Sequence, residues 1–429
     1  MNAPVTSLKT VAETELSALF ANAAPAHGSS MRQQAFERFE KAGLPHRRIE
    51  AWHYTNLRSL MQHAAPLAGE PAEVVSNKRP WSLVEDDKVF AFVDGWLVKS
   101  PKLPNGVRAS SLAEVMAKTP DSIAGHFNKA SDLSGDIVTS LNTAFMTGGL
   151  LIEVEAGAVI NEPLSFAFET TGETASFARI VVSVGDGAAI TLIETHRGSA
   201  GAAAQENTVM EISVGQNAMV EHVRVNTADV KAQTLSTLAV SVAEKAVFNS
   251  LSFTTGAALS RHQVFARVHG DDAKLGIRGV TLIRGQQLSD STLVVEHAAL
   301  NGESRELFKT VVDENARGVF QGKIIVKPHA QKTDGQMASN ALLLGEHSAM
   351  NCKPELEIFA DDVQCAHGAT VGDLDTELLF YLRSRGIQRK DAEALMIQAF
   401  AGAALEHVSH EGLRAVLVDM TEKWLQARA

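Results

Sequence analysis

The sequence predicts a mainly β protein, in which a central parallel β-helix is flanked by an N-terminal mixed α/β domain and a C-terminal helical domain. Apolar residues recur with helical spacing near both ends of the chain, whereas the middle consists of short runs rich in Val, Ile, Leu and Phe. A turn pattern also recurs along that middle part. We place the three domains at residues 1–135, 136–370 and 371–429.

The first domain combines helices and strands. Residues 29–45, SSMRQQAFERFEKAGLP, carry apolar residues at four-residue spacing and predict a helix that is capped by Ser29 or Ser30 and ends at Gly43. Further along, apolar residues alternate on both sides of the Asp-Gly dipeptide at residues 94–95, which is typical of tight β-turns. We therefore expect a β-hairpin there.

The central domain carries a weak internal repeat. The stretches VEAGAVI, VGDGAAI, VGQNAMV and VAEKAVF begin at residues 154, 184, 214 and 242, at intervals of 30, 30 and 28 residues. In each of them an apolar residue is followed by a polar turn, an alanine and a bulky apolar residue. Strands that repeat at this spacing indicate stacked coils, because a single coil cannot bury its apolar face alone. A two-sheet sandwich would also show short strands and turns, so it stays open as the alternative.

Helical spacing returns after residue 373. Apolar side chains form one stripe along residues 373–386 and another along residues 413–426, and the segment between them is apolar over much of its circumference. Three helices cannot easily bury all of these side chains among themselves. We expect part of this apolar surface to pack on the end of the β-helix or on a partner protein.

Charge and composition argue against several classes of function. The chain carries 39 Lys and Arg against 50 Asp and Glu, a formal net charge of −11, so we expect no nucleic-acid surface. It shows neither a secretory signal pattern nor an apolar stretch of the roughly 18 residues that a membrane span needs. With only two cysteines, a disulfide framework is not expected. A cytoplasmic protein without membrane contact is the expectation.

Motifs of common catalytic sites are absent, since the sequence has no GxxxxGK[ST] loop, no HExxH pair and no GxSxG turn. The one cluster of metal-ligand residue types comprises His347, Cys352, Cys365 and His367, spaced by five, thirteen and two residues. Structural zinc sites pair their ligands around a tight knuckle, so these spacings do not favour zinc. Taken alone, Cys365 can be interpreted as an ordinary buried residue, since free cysteine often fills space in a core. His367, beside Gly368, is a candidate for a functional site.

Three stretches carry a resemblance to a known family. They are GLPHRRIEAWHYTNLRSL at residues 43–60, KTDGQMASNALLLGEHSAMNCKPELEIFADDVQCAHGATVG at residues 332–372 and ELLFYLRSRGI at residues 377–387. On these the chain resembles the SufB/SufD family of iron–sulfur cluster assembly proteins, over most of its length. The resemblance implies a right-handed parallel β-helix and a non-catalytic scaffold subunit that pairs with a SufB-like paralogue and a SufC-like ABC-type ATPase.

Two positions place the resemblance on the SufD side of that family. SufB-like chains have His-Glu where this chain has His367 and Gly368, and their sulfur-acceptor cysteine falls near Ser339, where no cysteine is present. A serine hydroxyl is far too weakly acidic to carry persulfide sulfur as a thiolate does. The resemblance therefore implies that His367 faces the paralogue and helps to hold a transient iron–sulfur cluster, with Cys365 as a second ligand.

The resemblance also bears on partners and cofactors. It implies that the C-terminal helices dock the ATPase, and it allows for reduced FAD bound by the assembled complex. The residues leave open a homo-oligomeric, SufB-like scaffold, including a homodimer without the other subunits, and a plain interaction module whose Cys and His are structural. A β-helix enzyme acting on polysaccharide is disfavoured, because such enzymes need an aromatic-lined groove and aromatic residues make up only 6% of this chain.

Overall fold

A computed structural model of the protein describes residues 8–23, 29–71, 82–118 and 125–428. Its helices are α1 (Val11–Asn22), α2 (Ser29–Ala42), α3 (Leu57–Leu60), α4 (Leu112–Lys118), α5 (Ile137–Phe145), α6 (Thr376–Ser384), α7 (Arg389–Leu405) and α8 (Glu411–Gln426). Its strands are β1 (Lys88–Val93), β2 (Trp96–Lys99), β3 (Val107–Ser111), β4 (Gly148–Val154), β5 (Leu164–Thr170), β6 (Ala175–Val184), β7 (Ala189–Gly198), β8 (Gln205–Val214), β9 (Met219–Thr227), β10 (Gln233–Val242), β11 (Val247–Thr254), β12 (Leu259–Val268), β13 (Lys274–Ile283), β14 (Leu288–His297), β15 (Glu303–Val312), β16 (Arg317–Val326), β17 (Asp334–Leu343), β18 (Ala349–Ile358) and β19 (Gln364–Gly372).

The strands form two long sheets whose inner faces share one core. The odd sheet has the order β19-β17-β15-β13-β11-β9-β7-β5-β1-β2, and the even sheet has the order β18-β16-β14-β12-β10-β8-β6-β4-β3. From β4 to β19 all pairs are parallel, and each strand pairs with the strand two positions along the chain. Each coil thus contributes one strand to each sheet. This is the predicted parallel β-solenoid and not the sandwich.

The sequence repeat marks one corner of the coils. The first residues of the four repeated stretches are the last residues of β4, β6, β8 and β10, namely Val154, Val184, Val214 and Val242. Three residues further on, each turn has a left-handed residue, and these are Gly157 (φ 71°), Gly187 (φ 66°), Asn217 (φ 56°) and Lys245 (φ 55°). Left-handed residues reverse the chain sharply, and glycine and asparagine adopt that conformation with the least strain.

Other glycines let neighbouring coils approach closely at the corners. At Gly270 a Cβ atom would lie 1.9 Å from Glu244 N and 2.2 Å from Ala243 C, which are backbone atoms of the preceding coil. At Gly345 the same kind of contact would bring a Cβ atom to 2.3 Å from Glu314 N. No side chain fits at these two positions, so glycine sets the spacing of the coils there.

Apolar side chains fill most of the space between the sheets. Phenylalanine rings stack from coil to coil, with ring centroids 5.7 Å apart for Phe90 and Phe166 and 4.9 Å apart for Phe92 and Phe168. The first of each pair comes from β1, so the N-terminal strand belongs to the same core as the first coil. Stacked and offset rings add stability beyond the area that they bury.

The interior also holds a charged cluster between β7, β8 and β9. His196 lies 2.6 Å from Glu194 Oε1 through Nε2 and 3.1 Å from Glu206 Oε2 through Nδ1, and all three side chains are buried. Burial lowers the pKa of His196, but the two carboxylates outweigh it, so that its pKa is raised. Arg224, 3.9 Å from Glu194 Oε1, supplies a further positive charge. The opposite charges balance, as groups buried this deeply require.

The N-terminal strands are continuous with the solenoid. β1 and β2 form the predicted hairpin, with φ values of 48° at Asp94 and 85° at Gly95, and β1 pairs in parallel with β5. The predicted helix is α2, which begins at Ser29 and is followed by left-handed Gly43. Helices α1, α2 and α5 pack on the outer face of the even sheet. The domain boundaries at residues 135 and 370 stay predictions.

The tryptophan-containing stretch at residues 43–60 is anchored on the even sheet. The guanidinium carbon of Arg261, on β12, lies 3.7 Å from the ring centroid of Trp52. Asp290, on β14, accepts hydrogen bonds from both Arg261 and Thr55. The stretch at residues 43–60, which carries part of the family resemblance, therefore has a structural role, because it holds the N-terminal region against the coils.

The C-terminal helices α7 and α8 lie along the side of the solenoid. This corrects the first of the two expectations, that their apolar surface packs on the end of the β-helix, whereas contact with a partner protein stays a prediction. They place Ile397 and Leu417 against outward apolar residues of the odd sheet, including Val223, Leu251 and Phe253. The sheet thus has apolar residues on both faces where the helices cover it. In contrast, α6 buries none of its residues. Of the helices in the described ranges, none is both long and apolar enough to cross a membrane.

Candidate functional site

The candidate site lies on the last coil, at the open end of the solenoid. β18 and β19 are the last strands of the two sheets, and they pair on one side with β16 and β17. Among the described strands, neither has a partner on its other side. These edges are 10 and 9 residues long. Unpaired edges of this length offer backbone N–H and C=O groups to a strand of another chain.

Three of the four predicted ligand residues lie at this open end. Cys352 on β18 and Cys365 on β19 both pack against the apolar interior, so each sheet contributes one thiol. His367 follows Cys365 by two residues on the same strand and so shares its face, and its side chain is exposed. His347 lies in the turn between β17 and β18 instead. Of the four candidate ligands that are clustered in the sequence, the fold therefore brings three to the open end and leaves His347 apart.

Both thiols hold their protons at neutral pH. Burial raises the pKa of the Cys352 thiol, and the Ser339 hydroxyl, 3.8 Å from its sulfur, offsets this only in part. Burial also raises the pKa of the Cys365 thiol, where the Gly335 N–H opposes the effect and the charges of Asp334 and Glu306 add to it. Neither cysteine is activated as a nucleophile, and each becomes a thiolate when a metal ion displaces its proton.

Glu306, on β15, is a buried carboxyl group close to this end that belongs to no motif of the sequence. Its side chain is 2% exposed, and neither carboxyl oxygen has a hydrogen-bond partner. In the odd sheet, Glu306 on β15 pairs with Met337 on β17, and Met337 pairs in turn with His367 on β19. The nearby Ser304 hydroxyl contacts His297 Nε2 at 3.0 Å instead. The sequence does carry one signal for Glu306. Side chains alternate between the two faces along β15, and this alternation places a charged residue at an inward position.

Glu306 is expected to make stability depend on pH. Burial raises its pKa from 4.5 to about 8, and the positive charges of Arg305 and Arg278 compensate only in part. Because the folded-state pKa is the higher one, the folded state favours the protonated acid, and this contribution is lost as pH rises from 4.5 to about 8. We expect Glu306→Gln to become more stable relative to the parent protein by about 3 kcal/mol between pH 5.5 and pH 8.

Urea unfolding of both proteins at the two pH values measures this difference. The matched control is Glu303→Gln on the same strand, since Glu303 is exposed and paired with Lys274 at 3.3 Å. The control should follow the parent at both pH values. Parallel pH profiles for the parent and Glu306→Gln would contradict the prediction.

The open end carries an incomplete set of metal ligands. Among the described residues, no group of three or more His, Cys, Asp and Glu side chains is arranged to hold a metal ion. Thiolate sulfur and imidazole nitrogen are ligands that iron accepts, and the imidazole here is exposed beside a free sheet edge. A second chain docked on that edge can supply further ligands.

Comparison with known proteins adds family evidence to this geometry. The model of the SUF system FeS cluster assembly SufBD core domain matches residues 166–400, and that of the SufBD protein N-terminal region matches residues 13–166. An iron–sulfur cluster assembly SufBD family protein of Synechocystis sp. is 30% identical over 90% of this chain and 88% of its own. The iron–sulfur cluster assembly protein SufD of Escherichia coli is 32% identical over 90% of each chain. The SufD of Bacillus subtilis is 24% identical over 93% of this chain and 94% of its own.

Proposed function

Because this chain belongs to the SufBD family of iron–sulfur cluster assembly proteins, we propose that it is the SufD-like subunit of an iron–sulfur scaffold. It pairs with a SufB-like paralogue and an ABC-type ATPase in the cytoplasm, and the assembly builds and releases clusters. The chain itself catalyses no reaction in this proposal. The similarity to relatives named SufD supports the assignment.

The observation that carries the proposal is the position of His367. It is exposed on the last strand of the solenoid, on the same face as Cys365 and beside an unpaired sheet edge. A ligand at that place can be shared with a second subunit, whereas a ligand inside the core cannot. The transient cluster is the cargo of this site, held between His367, Cys365 and ligands of the paralogue.

The open end also supports pairing with another solenoid. Ile358, Phe359 and Val371 are exposed apolar residues at or just after the ends of β18 and β19. A partner that adds one strand to each sheet would cover these side chains and satisfy the backbone groups of both edges. A SufB-like paralogue is the partner that we propose, since a subunit of the same fold can extend both sheets in this way.

The C-terminal helices supply a separate surface for the ATPase. α7 and α8 are anchored on the odd sheet, and α6 exposes Leu378, Phe380 and Tyr381. α6 contacts the anchored helix α7, so a partner that binds the apolar surface of α6 can transmit force to the solenoid through α7. In this proposal, ATP-driven closure of the ATPase moves the two scaffold subunits against each other.

Affinity purification of the tagged chain from its native host under anaerobic conditions tests the function. We expect an ABC-type ATPase and a SufB-like paralogue to co-purify, together with iron and acid-labile sulfide. His367→Ala should retain both partners and lose roughly tenfold or more of the bound iron and sulfide. The control is His329→Ala, since His329 is exposed at a coil corner, with Nε2 2.8 Å from the Ala298 carbonyl oxygen.

Two results would contradict the proposal. Purification of the chain alone, or with copies of itself only, would favour a homo-oligomeric scaffold. Normal iron and sulfide in the His367→Ala complex would favour a plain interaction module with a structural histidine.

A further inference from the structure

A groove of about 550 Å³ lies on the outer face of the odd sheet and extends to its free edge. It is lined by Arg278, Arg305, Leu307, Gln336, Ala338 and His407, and by residues 366–368 where it reaches β19. Because side chains alternate along a strand, Gly368 belongs to the outer face of β19 and His367 to the inner face. The groove and the candidate cluster site thus share β19 but lie on its two faces.

Small residues leave room at the edge of this groove. On the outer face, Arg278, Leu307, Ala338 and Gly368 form one row across β13, β15, β17 and β19, since each pairs with the next. The side chains of the row shorten toward the free edge, and a Cβ atom at Gly368 would meet nothing within 4 Å. The end of the row is therefore an open floor, bordered by longer side chains on its inner side.

The guanidinium group of Arg278 lies at this groove without a carboxylate partner. Its Nη1 donates a hydrogen bond to Asn249 Oδ1 at 3.1 Å, and a Cβ atom at Gly276 would lie 2.4 Å from the same Nη1, so the group lies over Gly276. Among the described residues, no carboxylate forms an ion pair with it. The inward Glu306 is protonated at neutral pH, since its pKa is raised to about 8. Arginine stays charged in proteins, so Arg278 brings a positive charge without a direct counter-charge.

A second guanidinium group lies on the next strand. Arg305 pairs with Gly276, over which the Arg278 group lies, and neighbouring strands are about 4.8 Å apart. Asp334 Oδ2 accepts a hydrogen bond from Arg305 Nη2 at 2.6 Å and balances that charge. Burial and the charge of Arg278 lower the pKa of His407, so this imidazole is neutral at pH 7. The groove therefore carries an excess of one positive charge.

We propose that this groove binds a small organic carboxylate, whose acid group pairs with Arg278 and whose apolar part lies on Leu307, Ala338 and Gly368. A guanidinium group binds a carboxylate through two parallel hydrogen bonds, and one negative charge matches the excess charge of the groove. Clefts of roughly 300–1,000 Å³ are the usual size of small-molecule sites. A single acidic side chain of a partner protein would fill only a small part of the 550 Å³.

This site goes beyond the proposed function, because it lies on the outer face of the sheet and needs neither a cluster nor a partner subunit. Titration of the purified full-length chain with benzoate, followed by saturation-transfer NMR of the ring protons, tests it. Benzoate is the probe because it joins one carboxylate to one apolar ring. We expect saturable binding to the parent protein and roughly tenfold or more weaker binding of acetate, which keeps the charge and lacks the ring.

Arg278→Gln tests the charge and should weaken benzoate binding roughly tenfold or more. Its matched control is Arg267→Gln, since Arg267 is exposed on β12 of the even sheet and paired with Glu296 at 3.2 Å. The control should bind benzoate as the parent does. Thermal unfolding of both variants checks that the chain still folds.

Gly368→Val tests the floor and leaves every charge in place. Its Cβ atom would meet nothing within 4 Å and valine suits a strand, so the unfolding midpoint should not fall, whereas benzoate binding should weaken roughly tenfold or more. Gly372→Val is the control, because Gly372 has the same open surroundings on the same face of β19 but lies outside the groove.

Three results would overturn the site. They are benzoate binding to the parent that does not saturate, benzoate affinity that is unchanged in Arg278→Gln or Gly368→Val, and acetate that binds as tightly as benzoate. None of them bears on the iron and sulfide content of the His367→Ala complex, so this site and the proposed function fail separately.

Discussion

Gly270→Ala is expected to lower the free energy of unfolding by roughly 3 kcal/mol or more, a large part of the stability of an ordinary domain. The new Cβ atom would lie 1.9 Å from Glu244 N and 2.5 Å from Glu244 Cα. Both are backbone atoms of the preceding coil, and they cannot move aside without disturbing the paired strands β10 and β12. Because each coil is stabilised by its neighbours, the disturbance loosens the coils on both sides.

Gly402→Ala is the matched control for this substitution. Gly402 lies within α7, and a Cβ atom there would meet nothing within 4 Å. Alanine is favoured over glycine in a helix by about 0.5–1 kcal/mol, so this variant should unfold at the same temperature as the parent or slightly higher. Thermal unfolding followed by circular dichroism compares the two variants. An unchanged midpoint for Gly270→Ala would show that the corner tolerates a side chain.

Phe380→Glu is expected to remove the ATPase from the purified complex without unfolding the chain. Phe380 is 74% exposed on α6, beside Leu378 and Tyr381, which are 45% and 52% exposed. A buried aromatic residue at the centre of an interface commonly contributes about 2–4 kcal/mol, which corresponds to roughly 30- to 1,000-fold in affinity. Burying a carboxylate in its place adds a desolvation penalty.

Co-purification with the ATPase, quantified against the tagged chain, measures this effect. Val159→Glu is the matched control, because Val159 is 67% exposed at a coil corner and takes the same change of charge. The control should retain the ATPase, and both variants should keep the circular dichroism spectrum of the parent. Normal recovery of the ATPase with Phe380→Glu would show that α6 is not part of the docking surface.

The solenoid was predictable because its corners repeat. Each coil needs a sharp turn after a strand of similar length, and residues such as Gly187 and Asn217 recur at those turns. The hairpin at Asp94 followed from local turn chemistry in the same way. The position of α7 and α8 could not be predicted from the sequence. The apolar stripe of a helix shows which face is buried, but it does not show which of several apolar surfaces covers that face. Outward residues such as Val223 on the odd sheet decide that.

The candidate site was predictable only where its residues are neighbours in sequence. Cys365 and His367 share a strand, and their two-residue spacing places them on one face. Cys352 comes from the other sheet, and Glu306 from a strand two coils away within the odd sheet. Their approach depends on the register of the coils and on the shape of the interior. A motif with fixed spacing carries neither kind of information.

The stacking order of the coils has a consequence for synthesis. β1, β2 and β3 lie at one end of the two sheets and β18 and β19 at the other, so the ribosome completes the coils in their spatial order. A coil of about 30 residues leaves the ribosome within a few seconds at roughly 5–20 residues per second. Each nascent coil can pair with a finished one, and the strands with Cys352, Cys365 and His367 emerge last. A chain whose translation stops early would therefore fold into a stub that has a free edge but no ligands.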